Sequence, residues 1–263
     1  MSPRRLGPYR LVHQVGGGGM GVVHLALDEQ GRAVAVKVLR PHLAADPQAR
    51  ARLAREADTL RLVRSPRVAE VLDTDPDAEP PYIVTEYVAA PPLDEHVADV
   101  GPLRGRDLVR LGLGLGEALS AIHRAGVVHR DLKPANVLVD EGEPVVIDFG
   151  IAQITDDVRL TSTGLVMGTP GYLSPEVIDG APVSVVGDWW GWAATMVFAA
   201  TGRPPFGTGP LDAVLTRVHR GAPDVAGVPE PFAGLLVAAL APDAAGRPAP
   251  RALREELQAE IGR

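Results

Sequence analysis

Apolar and polar positions alternate through residues 9–15, 22–27 and 33–39, the period of half-buried β-strands. Gly16-Gly17-Gly18-Gly19-Met20-Gly21 joins the first pair and the turn Asp28-Glu29-Gln30-Gly31 the second, so an antiparallel meander is predicted. The period then becomes helical over 48–64, where Leu53, Ala57, Leu60 and Val63 recur, and a further strand at 82–88 runs into the Pro91-Pro92 turn. These elements make a small sheet with one helix. From Asp107 the character changes: Leu108, Leu111, Leu115, Leu119 and Ile122 form a helical stripe that stops at Gly126, a natural C-cap. Glycines 112, 114 and 116 interrupt that helix at a cost to its stability, and nothing in the sequence accounts for them. Short apolar runs follow at 137–139 and 145–147, with helices expected at 184–201, 211–218, 232–240 and 251–261. The expected fold class is α+β, a small antiparallel sheet (1–88) followed by a larger, mainly helical part (93–263), with a hinge at 89–92.

Composition narrows the function classes. The chain has 263 residues, 46% hydrophobic, enough for one large domain or two small lobes. A net charge of -7 gives no whole-domain attraction to nucleic acid or to an anionic membrane, so any bound anion needs a local site. With no cysteine, disulfide frameworks and thiolate metal sites are excluded, and a reducing cytoplasm suits the chain. Residues 1–14 hold no apolar leader core, and the longest apolar stretch, near 189–200, is too short to span a bilayer, so no membrane contact is expected from these residues. Among 26 Lys and Arg only Lys37 and Lys133 are lysines, and Asn136 is the single asparagine. Lys and Arg differ at a tight phosphate site, so these three positions are either places where chemistry resists exchange or chance survivors of a composition biased toward arginine.

The glycine run spells Gly16-x-Gly18-x-x-Gly21-x-Val23. Dinucleotide-binding folds also use this spacing, but there the glycines open a helix, whereas here the chain continues as a strand. A glycine hairpin over a sheet lets backbone N–H groups approach phosphate oxygens. Strand period places Ala35 and Lys37 on one face and Val34, Val36 and Val38 on the other. Glu56 falls on the apolar stripe of the 48–64 helix; it either pairs with Lys37 or reaches solvent from the stripe's edge. His129-Arg130-Asp131-Leu132-Lys133-Pro134-Ala135-Asn136 is followed by Asp148-Phe149-Gly150. A hydroxyl needs a carboxylate to orient it and take its proton, metals need an amide oxygen and a second carboxylate, and a moving phosphoryl group needs a cation. Asp131, Asn136, Asp148 and Lys133 are residues of those kinds.

On the glycine loop, Val34-Ala35-Val36-Lys37, Glu56, His-Arg-Asp, Asp-Phe-Gly and Ser174-Pro175-Glu176, the chain resembles the eukaryotic-like Ser/Thr protein kinases of bacteria, the PknB-like group, over nearly its whole length. The resemblance implies a two-lobed fold with ATP in the cleft. Around the nucleotide it implies Gly16, Gly17, Gly18, Gly19, Met20 and Gly21 at the phosphates, apolar walls at Val15, Val23, Ala35 and Leu138, a gatekeeper at Thr85, and hinge hydrogen bonds at Glu86 and Val88. Lys37 would hold the α- and β-phosphates and pair with Glu56. Asp148 and Asn136 would hold Mg²⁺, with Mn²⁺ as an alternative. Asp131 would be the catalytic base. Lys133, with Gly168-Thr169-Pro170-Gly171-Tyr172, resembles the Ser/Thr branch, so the expected partners are protein substrates with Ser or Thr acceptors. Glu176 would pair with Arg247, and Asp188 would brace the catalytic loop. Ser174 stands where the family usually has Ala, and Ala193 where it often has Gly, while Trp189, Trp190 and Trp192 read as core.

Thr161, Ser162 and Thr163 lie in the segment between Asp148 and Glu176, where similar kinases carry regulatory phosphosites bound by an arginine placed like Arg130. Related domains sometimes pair through the back of the small lobe, making a homodimer one expectation. Similar receptor kinases continue into a membrane span, so this is expected to be a cytoplasmic protein or the cytosolic domain of a longer, membrane-anchored one. Two other readings compete: a pseudokinase scaffold that binds nucleotide without transfer, whose usual signature is loss of the lysine or an essential Asp, and a small-molecule phosphotransferase, which lacks the full glycine loop.

Overall fold

The computed structural model describes residues 4–18, 21–149, 169–230 and 232–261, without the side chains of His42, Glu56, Glu260 and Ile261. Six antiparallel strands form one sheet in the order β1-β2-β3-β4-β6-β5: β1 (Arg5–Leu6), β2 (Tyr9–Gly17), β3 (Gly21–Leu27), β4 (Ala33–Leu39), β5 (Val71–Asp75) and β6 (Tyr82–Glu86). The meander stands as expected, and β2 runs on through Gly16 and Gly17, which pair with Val23 and Val22 across a bulge after Gln14. Gly21 has to be glycine, because a Cβ there would collide with the Val38 carbonyl oxygen. Strands β1 and β5 are additions to the expected sheet, and a short helix α1 (Pro41–Ala44) precedes α2 (Pro47–Arg61), so the small lobe holds two helices rather than one. Asp46 caps α2 by accepting from Gln48 N–H at 2.8 Å. The helix stops at Arg61, short of the expected 64; Leu62 is exposed, while Val63 still turns into the core.

Beyond the hinge come α3 (Leu93–Val100), α4 (Gly105–Arg124), the two-stranded hairpin β7 (Val137–Asp140) and β8 (Glu143–Val146), and then α5 (Pro175–Ile178), α6 (Val185–Thr201), α7 (Leu211–His219), α8 (Phe232–Ala239) and α9 (Pro250–Ile261). Trp190 and Trp192 are completely buried and Trp189 nearly so, as core residues. Trp190 lies parallel to Phe206 with centroids 5.6 Å apart and carries the Arg247 guanidinium 4.8 Å from its centroid. The lobes meet through backbone as well as side chains. Val146 N–H donates to Arg67 O at 2.8 Å, Ala69 N–H donates to Val146 O at 2.9 Å, and Val139 N–H donates to Pro91 O at 2.9 Å. Among the described residues no helix is long and apolar enough to cross a membrane.

The α4 glycines, unexplained by pattern, are contact points. A Cβ on Gly112 would lie 3.0 Å from both Leu257 and Met196, one on Gly116 3.4 Å from Trp189, and one on Gly114 2.5 Å from the Pro144 ring. The helix is thereby approached by α6, α9 and β8. Pro144 is a rigid ring in a paired strand and cannot rotate aside. Gly114→Ala is therefore expected to destabilise the fold by about 1–3 kcal/mol through overpacking, although alanine is the better helix former by about 1 kcal/mol. Gly234→Ala in α8, where a Cβ meets nothing within 4 Å, is expected to be neutral or stabilising. Urea unfolding of the two variants checks this; shifts in the same direction would rule out the packing account.

Candidate active site

Register brings together the positions expected to face the nucleotide. Val23 is opposite Lys37 and Ala35 is opposite Thr85, and two-residue spacing puts Ala35 on the face of Lys37, so Val23, Ala35, Lys37 and Thr85 share one side of the sheet. Val34 and Val36 are buried on the other side. Val15 is 43% exposed near the β2 bulge. Glu86 ends β6, its N–H donating to Glu70 O at 2.8 Å, and Val88 follows in the irregular connection. Leu138 lies on β7, where a bridge to Pro92 brings the end of the expected hinge against it. Gly16, Gly17, Gly18 and Gly21 stand at the base of the hairpin; Gly19 and Met20 lie outside the described residues.

Lys37 crosses the cleft: its Nζ lies 2.8 Å from Asp148 Oδ2, with the lysine side chain only 11% exposed. The expected Lys37–Glu56 pair rests on a side chain outside the described residues. Glu56 itself sits on α2 between Leu53 and Leu60, both buried. Asp148 has φ 61° and Arg130 φ 76°, left-handed values that cost non-glycine residues energy and persist where surroundings enforce them.

The loop from 129 to 136 converges on one carboxylate. Lys133 Nζ donates to Asp131 Oδ2 at 2.7 Å, and Asn136 Nδ2 donates to the same oxygen at 3.1 Å and to Asp131 O at 2.7 Å. With its nitrogen spent on Asp131, Asn136 keeps its amide oxygen as an acceptor. From below, Asp188, 3% exposed, accepts from His129 N–H at 2.7 Å and from Arg130 N–H at 2.8 Å. Asp131 N–H donates to His129 Nδ1 at 3.3 Å. Burial pushes the His129 imidazole below its ordinary pKa, against the opposing pull of Asp188, Asp131 and Asp148, and leaves a neutral ring that accepts at Nδ1.

The expected Glu176–Arg247 pair is bidentate, with both N–H···O distances 2.7 Å. Burial is the largest single influence on the Glu176 carboxyl and would raise it, but the Arg247 hydrogen bonds and charge, its own backbone N–H and Ser174 together outweigh burial and hold the group below its usual range. Thr161, Ser162 and Thr163 lie outside the described residues.

Two supports were not foreseen from the sequence. His123, at the end of α4, donates from Nε2 to Asp188 Oδ2 at 2.6 Å, a third donor on the buried carboxylate. Arg67, just after α2, meets Glu143 on β8 at 2.6 Å and Glu117 on α4 at 3.6 Å. His123 does sit on the inward stripe with Leu119 and Ile122, which was a legible signal; Arg67 offered none.

The sequence profile of the protein kinase domain matches residues 9–255. The serine/threonine-protein kinase AfsK of Streptomyces coelicolor is 44% identical over 258 residues, covering 97% of this chain and 32% of that protein. The probable serine/threonine-protein kinase PkwA of Thermomonospora curvata is 42% identical over 237 residues, 90% of this chain and 32% of its own length. The chain thus spans about a third of the length of the curated relatives it matches. Among solved structures, the kinase domain of Mycobacterium tuberculosis PknI superposes with a TM-score of 0.78 at 27% identity, covering 100% of this chain and 99% of that one.

Proposed function

This chain belongs to the protein kinase domain family, and we propose that it is a catalytically competent serine/threonine protein kinase domain, transferring the γ-phosphate of ATP to protein Ser or Thr hydroxyls. The observation that carries this is the Asp131 carboxylate fixed by Lys133 and Asn136, with Lys37 and Asp148 paired across the same cleft. Asp131 orients the substrate hydroxyl and accepts its proton. Lys133, already on that carboxylate, is placed to meet the negative charge of the transferring group, and Lys37 holds the inner phosphates. The lobes are residues 1–88 and 93–263, with the adenine held against the 85–88 segment before the hinge.

The donor set fits a hard divalent cation. Asp148 and the amide oxygen of Asn136 would hold Mg²⁺, or Mn²⁺, cations that take oxygen ligands. When bound, such a cation neutralises phosphate charge. A nucleotide-binding scaffold is the competing reading, and the presence of Lys37, Asp131 and Asp148 speaks against it.

The test is transfer of labelled γ-phosphate to the domain itself and to a generic basic protein. Label on serine or threonine, dependent on Mg²⁺ or Mn²⁺ and lost on chelation, is the expected outcome. ATP binding without transfer under either metal, even after phosphorylation by an active relative, would establish the scaffold instead.

A further inference from the structure

The base of the glycine hairpin is tied down by a residue that the nucleotide-site reading leaves unused. Arg40 follows directly on β4, and its Nε–H donates to the carbonyl oxygen of Gly18 at 3.1 Å. Gly18 N–H is taken as well, donating to Gly21 O at 2.9 Å, so both backbone groups of this glycine are engaged. Arg40 is itself anchored. Its carbonyl accepts from Leu43 N–H at 3.0 Å and from Ala44 N–H at 2.9 Å as the N-cap of α1, and Leu43 is buried in the core beneath. The guanidinium therefore projects from a fixed point while its head stays exposed.

We infer that Arg40 is a positioning residue for the phosphate cradle, holding the Gly18 carbonyl turned toward solvent and away from the phosphates of bound ATP. This rests on the reading of the hairpin as the phosphate cover. The physical reason is one of sign. A glycine segment has few steric limits on its peptide planes, so its carbonyls can swing inward as readily as its N–H groups. A carbonyl oxygen facing a polyphosphate is repulsive, whereas N–H groups facing it are attractive. A charge-assisted hydrogen bond to the Gly18 oxygen removes the repulsive orientation before the ligand arrives. The effect falls on affinity for the phosphates and leaves adenine recognition alone.

The chemistry of the donor supplies a discriminating variant. In glutamine the amide nitrogen lies as many bonds from Cα as Nε does in arginine, so Arg40→Gln keeps a donor at that place while removing the charge. Calorimetric titration of the wild type, Arg40→Ala and Arg40→Gln with ATP and, separately, with adenosine tests the inference. Arg40→Ala is expected to weaken ATP binding about three- to tenfold, the size of one hydrogen bond. Adenosine binding and melting temperature should be unchanged, and Arg40→Gln should bind ATP nearly as the wild type does. An Arg40→Gln variant as weak as Arg40→Ala would show that charge alone acts, and would overturn the tether. So would unchanged ATP affinity in Arg40→Ala, or an equal loss for adenosine. A wild type that binds no ATP would instead remove the nucleotide-site reading on which the inference stands.

Discussion

Asp131→Asn is expected to lower kcat for phosphoryl transfer by about 10²- to 10⁴-fold, the range for removal of a positioned general base, while leaving ATP affinity intact. The substitution preserves shape. An asparagine oxygen can still accept from Asn136, so the loop keeps part of its hydrogen bonding. What disappears is the proton acceptor and the charge that Lys133 Nζ approaches at 2.7 Å. Because Asp131 touches neither Lys37 nor Asp148 through any hydrogen bond found among the described residues, nucleotide binding has no reason to follow the loss. Steady-state kinetics at saturating ATP, with a separate nucleotide titration, measures both quantities. A loss below about tenfold would place the base elsewhere.

That prediction rests on residues legible in the sequence, and the contrast with those that were not is instructive. Lys37, Asp131, Lys133, Asn136 and Asp148 stood out because the chemistry demands particular residue types at particular spacings, and because lysine and asparagine are so scarce here. The meander and α4 were equally readable, since alternation and the 3.6-residue stripe each persist over several turns or strand lengths. Strand β5 was missed because Val71-Leu72-Asp73-Thr74-Asp75 has two apolar residues and then polar ones, and its pairing is supplied by β6 rather than by its own pattern. Helix α3 had a readable spacing of Leu93, Val97 and Val100, but is short and acidic at its start. The α4 glycines illustrate a different limit: their reason lies on Pro144, Met196, Leu257 and Trp189, which local periodicity along α4 cannot reach. Arg40 and Arg67 likewise act through partners distant in sequence, Arg40 on Gly18 once the small sheet has formed and Arg67 on Glu143 once the lobes have packed.

Asp188→Ala should show both faults at once, a loss of stability of about 3 kcal/mol or more and a large fall in kcat. The stability term follows from counting donors. His129 N–H, Arg130 N–H and His123 Nε2–H all point at a carboxylate that is 3% exposed, and each buried donor left without an acceptor costs about 1–3 kcal/mol. The catalytic term follows from backbone strain. Arg130 is held at φ 76°, a conformation that costs a non-glycine residue about 1–3 kcal/mol, and the Asp188 hydrogen bond to its N–H helps enforce it. Released, Arg130 relaxes toward negative φ and carries its neighbour Asp131 out of reach of Lys133 and Asn136. Asp188→Asn should fall between, since an amide offers one acceptor oxygen where two were used and turns an N–H toward donors. Assayed well below the melting temperature, Asp188→Ala is expected to keep its ATP affinity and lose at least about 100-fold in kcat, the low end for displacing a general base. Unfolding in urea gives the first quantity and kinetics the second. A variant that is destabilised but turns over normally when folded would show that Asp188 supports the lobe without setting the position of Asp131.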